Sequence, residues 1–282
     1  MREFFSRRWL EIRGIWKTKS GKVGISVSLG LLAVATFAPV LATSSADAMV
    51  AVPFLGPSWA HPLGTDDIGS DILSQLIWAT RGSLVVCFAA GGIAALLGVT
   101  VGLLAGYHRG RIGEVLMRIT DIVLVLPILP LLIVIAAFFP PSVFLVVSLI
   151  GLLLWPWIAR VVRSQTLSLV SRPFVDASRL SGMSSLEIMF KVILPNQISL
   201  VILYGVSTAI LAVVIEAGLD FIGLAPPNSW SWGIMLYFAL SRNAMIRGLW
   251  WWFLPPGLLM ALLGMGLLLI GHEVERVIGV RS

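Results

Sequence analysis

Charge is what this sequence has least of. Only 12% of its 282 residues are Asp, Glu, Lys or Arg, where a soluble domain carries about 25%. Hydrophobic residues make up 58%, and the mean hydropathy is +0.97. That balance excludes a soluble globular domain and reads as an integral membrane protein. Cysteine is nearly absent. Cys87 stands alone in an apolar run, which excludes a disulfide framework and a cysteine-based metal site and reads as packing. His61, His108 and His272 lie far apart on different loops and lack the two-histidine spacing of a metal site; His61 reads as a structural residue of its loop. A phosphate-binding G-x4-G-K-[ST] loop is missing too, since Gly21-Lys22 is followed by Val23 and has no glycine five residues upstream. No internal repeat or low-complexity linker is visible.

What the chain does have is long uncharged runs. A helix needs about 20 apolar residues to cross a bilayer. Residues 23–43, 82–107, 192–215 and 248–271 carry no charge, and 122–159 is too long for one span and breaks at Pro140-Pro141. Six transmembrane helices are therefore expected, at 23–43, 82–107, 119–139, 142–160, 196–217 and 248–271, in an all-α membrane protein. The segments between them are an N-terminal stretch 1–22, an external loop 44–81, a cytoplasmic loop 161–195, an external segment 218–247 and a tail 272–282. Pro127 and Pro130 interrupt the third helix, whose freed carbonyls need neighbouring helices or water. They make either a kinked wall of a path or a structural bend.

The net charge of +6 and pI near 10.1 would suggest nucleic acid in a soluble protein. Here they encode topology, because Lys and Arg collect in cytoplasmic loops. Seventeen of the 20 fall on the side of the N-terminus and only Arg81, Arg242 and Arg247 on the other. Both termini are expected in the cytoplasm, with no nucleic-acid partner. Ala46-Asp47-Ala48 resembles a signal-peptide cleavage site, but the preceding run of 21 residues exceeds the usual h-region of about 7–15. Phe5, Trp9, Ile12 and Trp16 share one helical face among Arg7, Arg8, Arg13 and Lys17, the pattern of a helix lying in the membrane surface; an ordinary tail with interfacial aromatics is the alternative. Trp155, Trp157 and Trp250 to Trp252 fall near span ends and fit interface belts.

The cytoplasmic loop carries its own helix signals. Pro173 suits a first helical turn, Gly182 a helix end, and Ser184 with Glu187 forms a capping-box pattern. Pro195 kinks or ends the second helix. Small residues Ala177, Ser178 and Ser181 allow a close partner. Such a helix–turn–helix can transmit a rigid-body push. At the outer end of the fifth span, Glu216 and Asp220 are four residues apart and so share a helical face. Carboxylates at membrane depth are costly and face a cavity or partner. They either border a substrate path or cap the external turn or pair with Arg242 or Arg247.

Asp176-Ala177-Ser178, Gly182, Val192, Leu194 and Pro195 resemble the E-A-A-x3-G-x9-I-x-L-P loop of ABC importer membrane subunits. The spacing is intact; Asp stands for Glu, Ser for the second Ala and Val for Ile. His61-Pro62-Leu63-Gly64-Thr65-Asp66, with Gly69 and Asp71, resembles the H-P-L-G-T-D-x-x-G-R-D signature of the second permease of dipeptide, oligopeptide and nickel importers. Ser70 replaces its Arg, which puts any ion pair of that Arg in doubt. Ser231-Trp232-Gly233 with Met235-Leu236 resembles S-W-G-x-M-L, and Glu216 resembles a glutamate of that family's fifth helix. The likeness spans roughly residues 20–275. It implies a type I ABC importer permease fold, a coupling helix at 176–195 and alternating access. It also implies a heterodimer with a second permease, two ATP-binding subunits that carry ATP and Mg, and an external solute-binding protein. It implies no enzyme activity, cofactor or metal in this chain. Peptides lead as substrate, with nickel or oligosaccharide as alternatives. The rival class, a stand-alone secondary transporter or channel, would need an ion relay within the spans, where charges are almost absent. A membrane-embedded enzyme would need clustered catalytic groups, and none is seen.

Overall fold

A chain with so little charge can cross a bilayer only if each segment satisfies its own backbone, and helices do this. The computed structural model describes residues 18–108 and 110–279. The amphipathic face of Phe5, Trp9, Ile12 and Trp16 with its surrounding cations lies outside the described residues, as do Arg109 and Arg281. In chain order the elements are α1 Lys19–Thr36, α2 Ala38–Leu41, α3 Ile72–Tyr107, α4 Arg111–Val125, α5 Ile128–Phe138 and α6 Val143–Val170. There follow α7 Pro173–Leu180, α8 Ser185–Glu187, a π-helical turn Ile188–Ile193, α9 Leu194–Asn196, α10 Ile198–Phe221, α11 Trp232–Ser241 and α12 Trp250–Gly279. Among the described residues no strand forms; two isolated bridges, Met49 with Ser70 and Thr65 with Asp71, tie the loop ahead of α3.

Four helices, α3, α6, α10 and α12, are long and apolar enough to cross a membrane. The expected span 119–139 is instead the pair α4 and α5, bent by 80°. Pro127 causes the break, because it has no N–H for the helix ladder and sets its predecessor in extended backbone. Pro130, in the first turn of α5, costs nothing there because first-turn amides are unpaired anyway. If the pair counts as one span, the total is five. The expected span 23–43 is α1, which has Lys19 and Lys22 in its first turns and stops at Phe37, just before Pro39; it falls short of a full apolar crossing. Among the described residues the count of six spans is therefore not reached by length and composition.

Several helices outrun their expected bounds. α3 begins at Ile72 rather than residue 82 and α4 at Arg111 rather than 119, while α6 ends at Val170 rather than 160 and α12 at Gly279 rather than 271. The extra turns of α3 carry Ser74, Gln75 and Thr80, all fully buried in protein, so the helix continues past the apolar run with these groups inside the protein, and Arg81 is exposed at its edge. Trp155 and Trp252 also depart from expectation. Both are buried in the core, at 9% and 1% exposure, and only Trp157 and Trp250 face outward.

The most extensive contact is α3 against α6. Gly98, Gly102 and Gly106 recur every fourth residue on α3, and a side chain at any of them would collide with α6. A Cβ at Gly98 would sit 2.6 Å from Ile158 Cβ, at Gly102 2.7 Å from the Ala159 carbonyl, and at Gly106 2.6 Å from Thr166 Cβ. Small residues let helix backbones approach where lipid supplies no hydrophobic drive between them. Gly91 repeats the device against Ala209 of α10, and Gly24 of α1 meets the Gly266 carbonyl of α12.

This packing predicts a contrast on one helix. Gly102→Ala should destabilise the purified protein by about 1–3 kcal/mol, the usual effect of overpacking. Gly92→Ala, where an added Cβ meets nothing within 4 Å, should leave it unchanged. Thermal unfolding in detergent, followed by size-exclusion chromatography, distinguishes the two.

Candidate functional site

Three polar assemblies interrupt the apolar fold. The first is the loop before α3. Asp71 caps α3, accepting from Ser74 N at 2.8 Å, and holds His61 Nδ1 at 3.0 Å. Asp66 accepts from Ser70 N, Ile68 N and Gln75 Nε2. Burial pushes the Asp66 carboxyl above its ordinary pKa, against the pull of those hydrogen bonds. Thr65 Oγ1 donates to the Val52 carbonyl and accepts from Leu55 N. Gly64, at φ +70, lies against the Leu55 carbonyl and Trp251, with Pro62 and Leu63 leading into it. Gly69, at φ +88, lies against the Ala51 carbonyl. Ser70 is fully buried and its hydroxyl has no hydrogen-bond partner. The loop is tied to the far end of the chain by Asp67 with Arg242 at 2.8 Å and by Arg247 over the Phe54 ring.

The second assembly lies at the C-terminal end of α10. Ser231 caps α11 and donates its hydroxyl to Asp220 Oδ2. Trp232, fully buried, donates its backbone N–H to Ser83 Oγ and its indole N–H to Thr80 Oγ1, both on α3. Gly233 is the close-approach point, where a Cβ would lie 2.6 Å from Ala217 Cα. Asp220 thus holds the turn through Ser231, while Arg242 and Arg247 are engaged elsewhere; the pairing of either arginine with Glu216 or Asp220 does not form. Glu216 is 6% exposed and its Oε2 has no hydrogen-bond partner. It lines a cavity of about 30 Å³ with Gly82, Val86, Val143, Val146 and Trp230, polar enough and large enough for water.

The third assembly is the loop from Ser171 to Gln197. Pro173 opens α7, and Gly182, at φ +79, closes it with Met183 N donating to the Ser178 carbonyl. Ser184 and Glu187 form a complete capping box, and Lys191 reaches Glu187 at 2.7 Å. That lysine first, and then the Ser184 backbone N–H and hydroxyl, lower the Glu187 pKa to about 2. Ahead of Pro195 the ladder shifts to a π turn, with Leu194 N donating to the Met189 carbonyl, and Asn196 Nδ2 covers the Val192 carbonyl. Val175, Ile188, Met189 and Ile193 are buried in the same core as α3 and α6, with Val192 and Leu194 packed against it. Gln197 Nε2 bonds Thr166 Oγ1 of α6.

The opposite face is bare. Leu180 is 90% exposed and Leu186 61%, with Phe174 and Phe190 also outward. Ala177 lies on the solvent side and Ser178 bonds back to the Phe174 carbonyl. Asp176 pairs with Arg179 at 2.9 Å, and Arg179 stands over the Tyr107 ring at the end of α3. Arg179, Thr80 and Ser83 are contributors that spacing alone does not reveal. Thr80 and Ser83 are hydroxyls whose partner, Trp232, lies 152 and 149 residues away, and Arg179 meets Tyr107 of a separate helix.

A sequence profile of the family described as binding-protein-dependent transport system inner membrane component matches residues 98–271. The chain is 35% identical over 273 residues to the dipeptide transport system permease protein DppC of Alkalihalophilus pseudofirmus, covering 95% of this chain and 88% of that one. It is 34% identical over 226 residues to the di/tripeptide transport system permease protein DppC of Pseudomonas aeruginosa, covering 78% and 74%. Over 232 residues it is 32% identical to the oligopeptide transport system permease protein OppC of Lactococcus lactis subsp. cremoris, covering 81% and 79%.

The capping box sets a pH dependence for the third assembly. The folded Glu187 pKa of about 2 lies below its ordinary 4.5, so the folded loop binds fewer protons there than the unfolded one. The contribution is fully present above 4.5 and is lost as pH falls from 4.5 towards 2. Wild type should show slower amide hydrogen exchange at Ser184 and Glu187 than Glu187→Gln at neutral pH. That difference should vanish across the acidic window.

Proposed function

This chain belongs to the family of binding-protein-dependent transport system inner membrane components, and from that premise we propose that it forms half of an ATP-driven translocation path for di- and oligopeptides. It is a multi-pass membrane protein and a permease. ATP and Mg sit on two separate ATP-binding subunits. A second, homologous permease completes the path, and an external solute-binding protein delivers the substrate. The membrane is the plasma membrane of a prokaryote, with both termini in the cytoplasm.

The observation that carries this reading is the two-sided loop of α7 to α9. Its inner face is continuous with the core of α3 and α6, while its outer face presents Phe174, Leu180, Leu186 and Phe190. Exposed apolar residues on a capped, rigid element are the signature of a docking surface. An ATPase groove that moves on binding ATP would push this face. The push passes through Val175, Ile188 and Met189 into α3 and α6, without a flexible joint between. Asp176 contributes by holding Arg179 against Tyr107 at the end of α3, so it stiffens the lever. Differential contact with the two states of the ATPase pair then shifts the path between inward and outward openings. Peptide as substrate rests on the similarity to dipeptide and oligopeptide permeases.

Glu216 borders the path at the outer end, where its free carboxyl oxygen and the adjoining cavity offer a polar foothold in an apolar wall. Asp220 is the residue that closes the turn through Ser231 rather than a second path group.

Leu180→Asp with Leu186→Asp should reduce ATPase association by at least about tenfold, as for loss of buried interface anchors. Uptake of labelled dipeptide into proteoliposomes should fall to background while the two permeases still assemble. Co-purification of the ATPase measures the first effect and uptake the second. Glu216→Ala should lower uptake with assembly intact; undiminished transport by that variant would remove Glu216 from the path.

A further inference from the structure

Of the three arginines on the external side, two are engaged: Arg242 holds Asp67 and Arg247 lies over Phe54. Arg81 is exposed and has no hydrogen bond or ion pair among the described residues. It stands at the head of a groove of about 410 Å³ between α1 and α3, lined on α3 by Leu84, Val85 and Phe88 and on α1 by Leu32, Ala35 and Thr36. We propose that this groove is a phospholipid site, in which Arg81 takes the phosphate and the apolar walls take one acyl chain.

Register and depth carry the assignment. Arg81, Leu84, Val85 and Phe88 follow steps of three, one and three, so they form one stripe along α3. Leu32, Ala35 and Thr36 form the facing stripe on α1. The groove therefore runs along the helix axes, the direction of an acyl chain, and continues inward from Arg81 for about 10 Å at 1.5 Å per residue. Residues 82–107 carry no charge, so the hydrocarbon layer begins just inside Arg81 and the guanidinium sits at headgroup level. Helical side chains lean towards the N-terminus of their helix, which for α3 is the end leading away from the hydrocarbon. A guanidinium offers a planar pair of donors that fits phosphate, and here no acidic side chain competes for it. Val85 and Phe88 are 48% and 43% exposed, as lipid-facing walls should be. A snorkelling arginine needs no groove beneath it; this one has an apolar slot in line with its charge.

The test uses the transporter assembled from this chain and its partner subunits, in mild detergent with added phosphatidylglycerol. Native mass spectrometry of the wild type should show a retained lipid, and Arg81→Ala should lower its occupancy about tenfold, the equivalent of one lost contact. Arg81→Lys should fall between. Val85→Trp keeps the charge and fills the slot, and should lose the lipid as well. A photo-crosslinking residue at Thr36 should yield an adduct of lipid mass. Retention of lipid by both Arg81→Ala and Val85→Trp overturns the proposal, as does a crosslink from residue 36 to the second permease, which would make the groove a protein interface.

Discussion

Everything else in this chain hangs on the near-contact of two backbones, α3 and α6, at Gly98, Gly102 and Gly106. In lipid, apolar side chains gain nothing by leaving the solvent, so helix association depends on close packing and hydrogen bonds. The glycine stripe supplies the first. It turns two long helices into one stiff post that extends beyond the apolar run at both ends. At one end the post carries Asp71, Thr80 and Ser83, on which the loop before α3 and the Trp232 segment are fastened. At the other end it carries Tyr107 and Thr166, against which the α7–α9 loop is fastened. The same rigid element thus reaches from the first two polar assemblies to the third.

The family-signature residues acquire physical reasons in this frame. Asp66 accepts backbone N–H groups of its own loop, and Asp71 caps the start of α3. Gly64 and Gly69 let the loop fold back on residues 51–55 at distances that no larger residue tolerates, and Thr65 ties it there through Val52 and Leu55. Ser231, Trp232 and Gly233 act as cap, anchor and close-approach point in three consecutive positions. Buried polar groups that are fully satisfied fix one arrangement, because any shift leaves them unpaired. Two of the buried polar atoms without a partner, Glu216 Oε2 and Ser70 Oγ, differ in kind. Glu216 adjoins a cavity, whereas Ser70 occupies a position where the resembling signature has a larger, charged residue.

Local signals were readable from the sequence, and long-range ones were not. Gly182, Pro173, and Ser184 with Glu187 act within one or two turns, so spacing alone identifies the elements they end or begin. The turn at Pro140-Pro141 is of the same kind. The 80° bend at Pro127 is only half legible: proline marks a break, but the angle depends on what packs beside it. The extension of α3 back to Ile72 is hidden, because Ser74, Gln75 and Thr80 look like loop residues until the protein that buries them is present. Trp155 and Trp252 mislead for the converse reason. A tryptophan near a span end suits an interface equally well as a core, and tertiary packing decides. The ties Asp67 to Arg242 and Arg179 to Tyr107 join segments whose proximity no periodicity encodes.

The π turn at Ile188–Ile193 has a consequence for angular phase. A wider turn inserts one residue relative to the α-helical repeat, and one residue corresponds to about 100° of rotation about the axis. The azimuth of Leu186 relative to the Leu194–Asn196 turn is therefore set by that single surplus residue, ahead of the break at Gln197 that begins α10. Were the segment regular α-helix, the apolar face of the loop and the turn at Pro195 would be out of step by more than a quarter turn. Pro195, which forbids the regular ladder at this place, acts as the guardian of that phase.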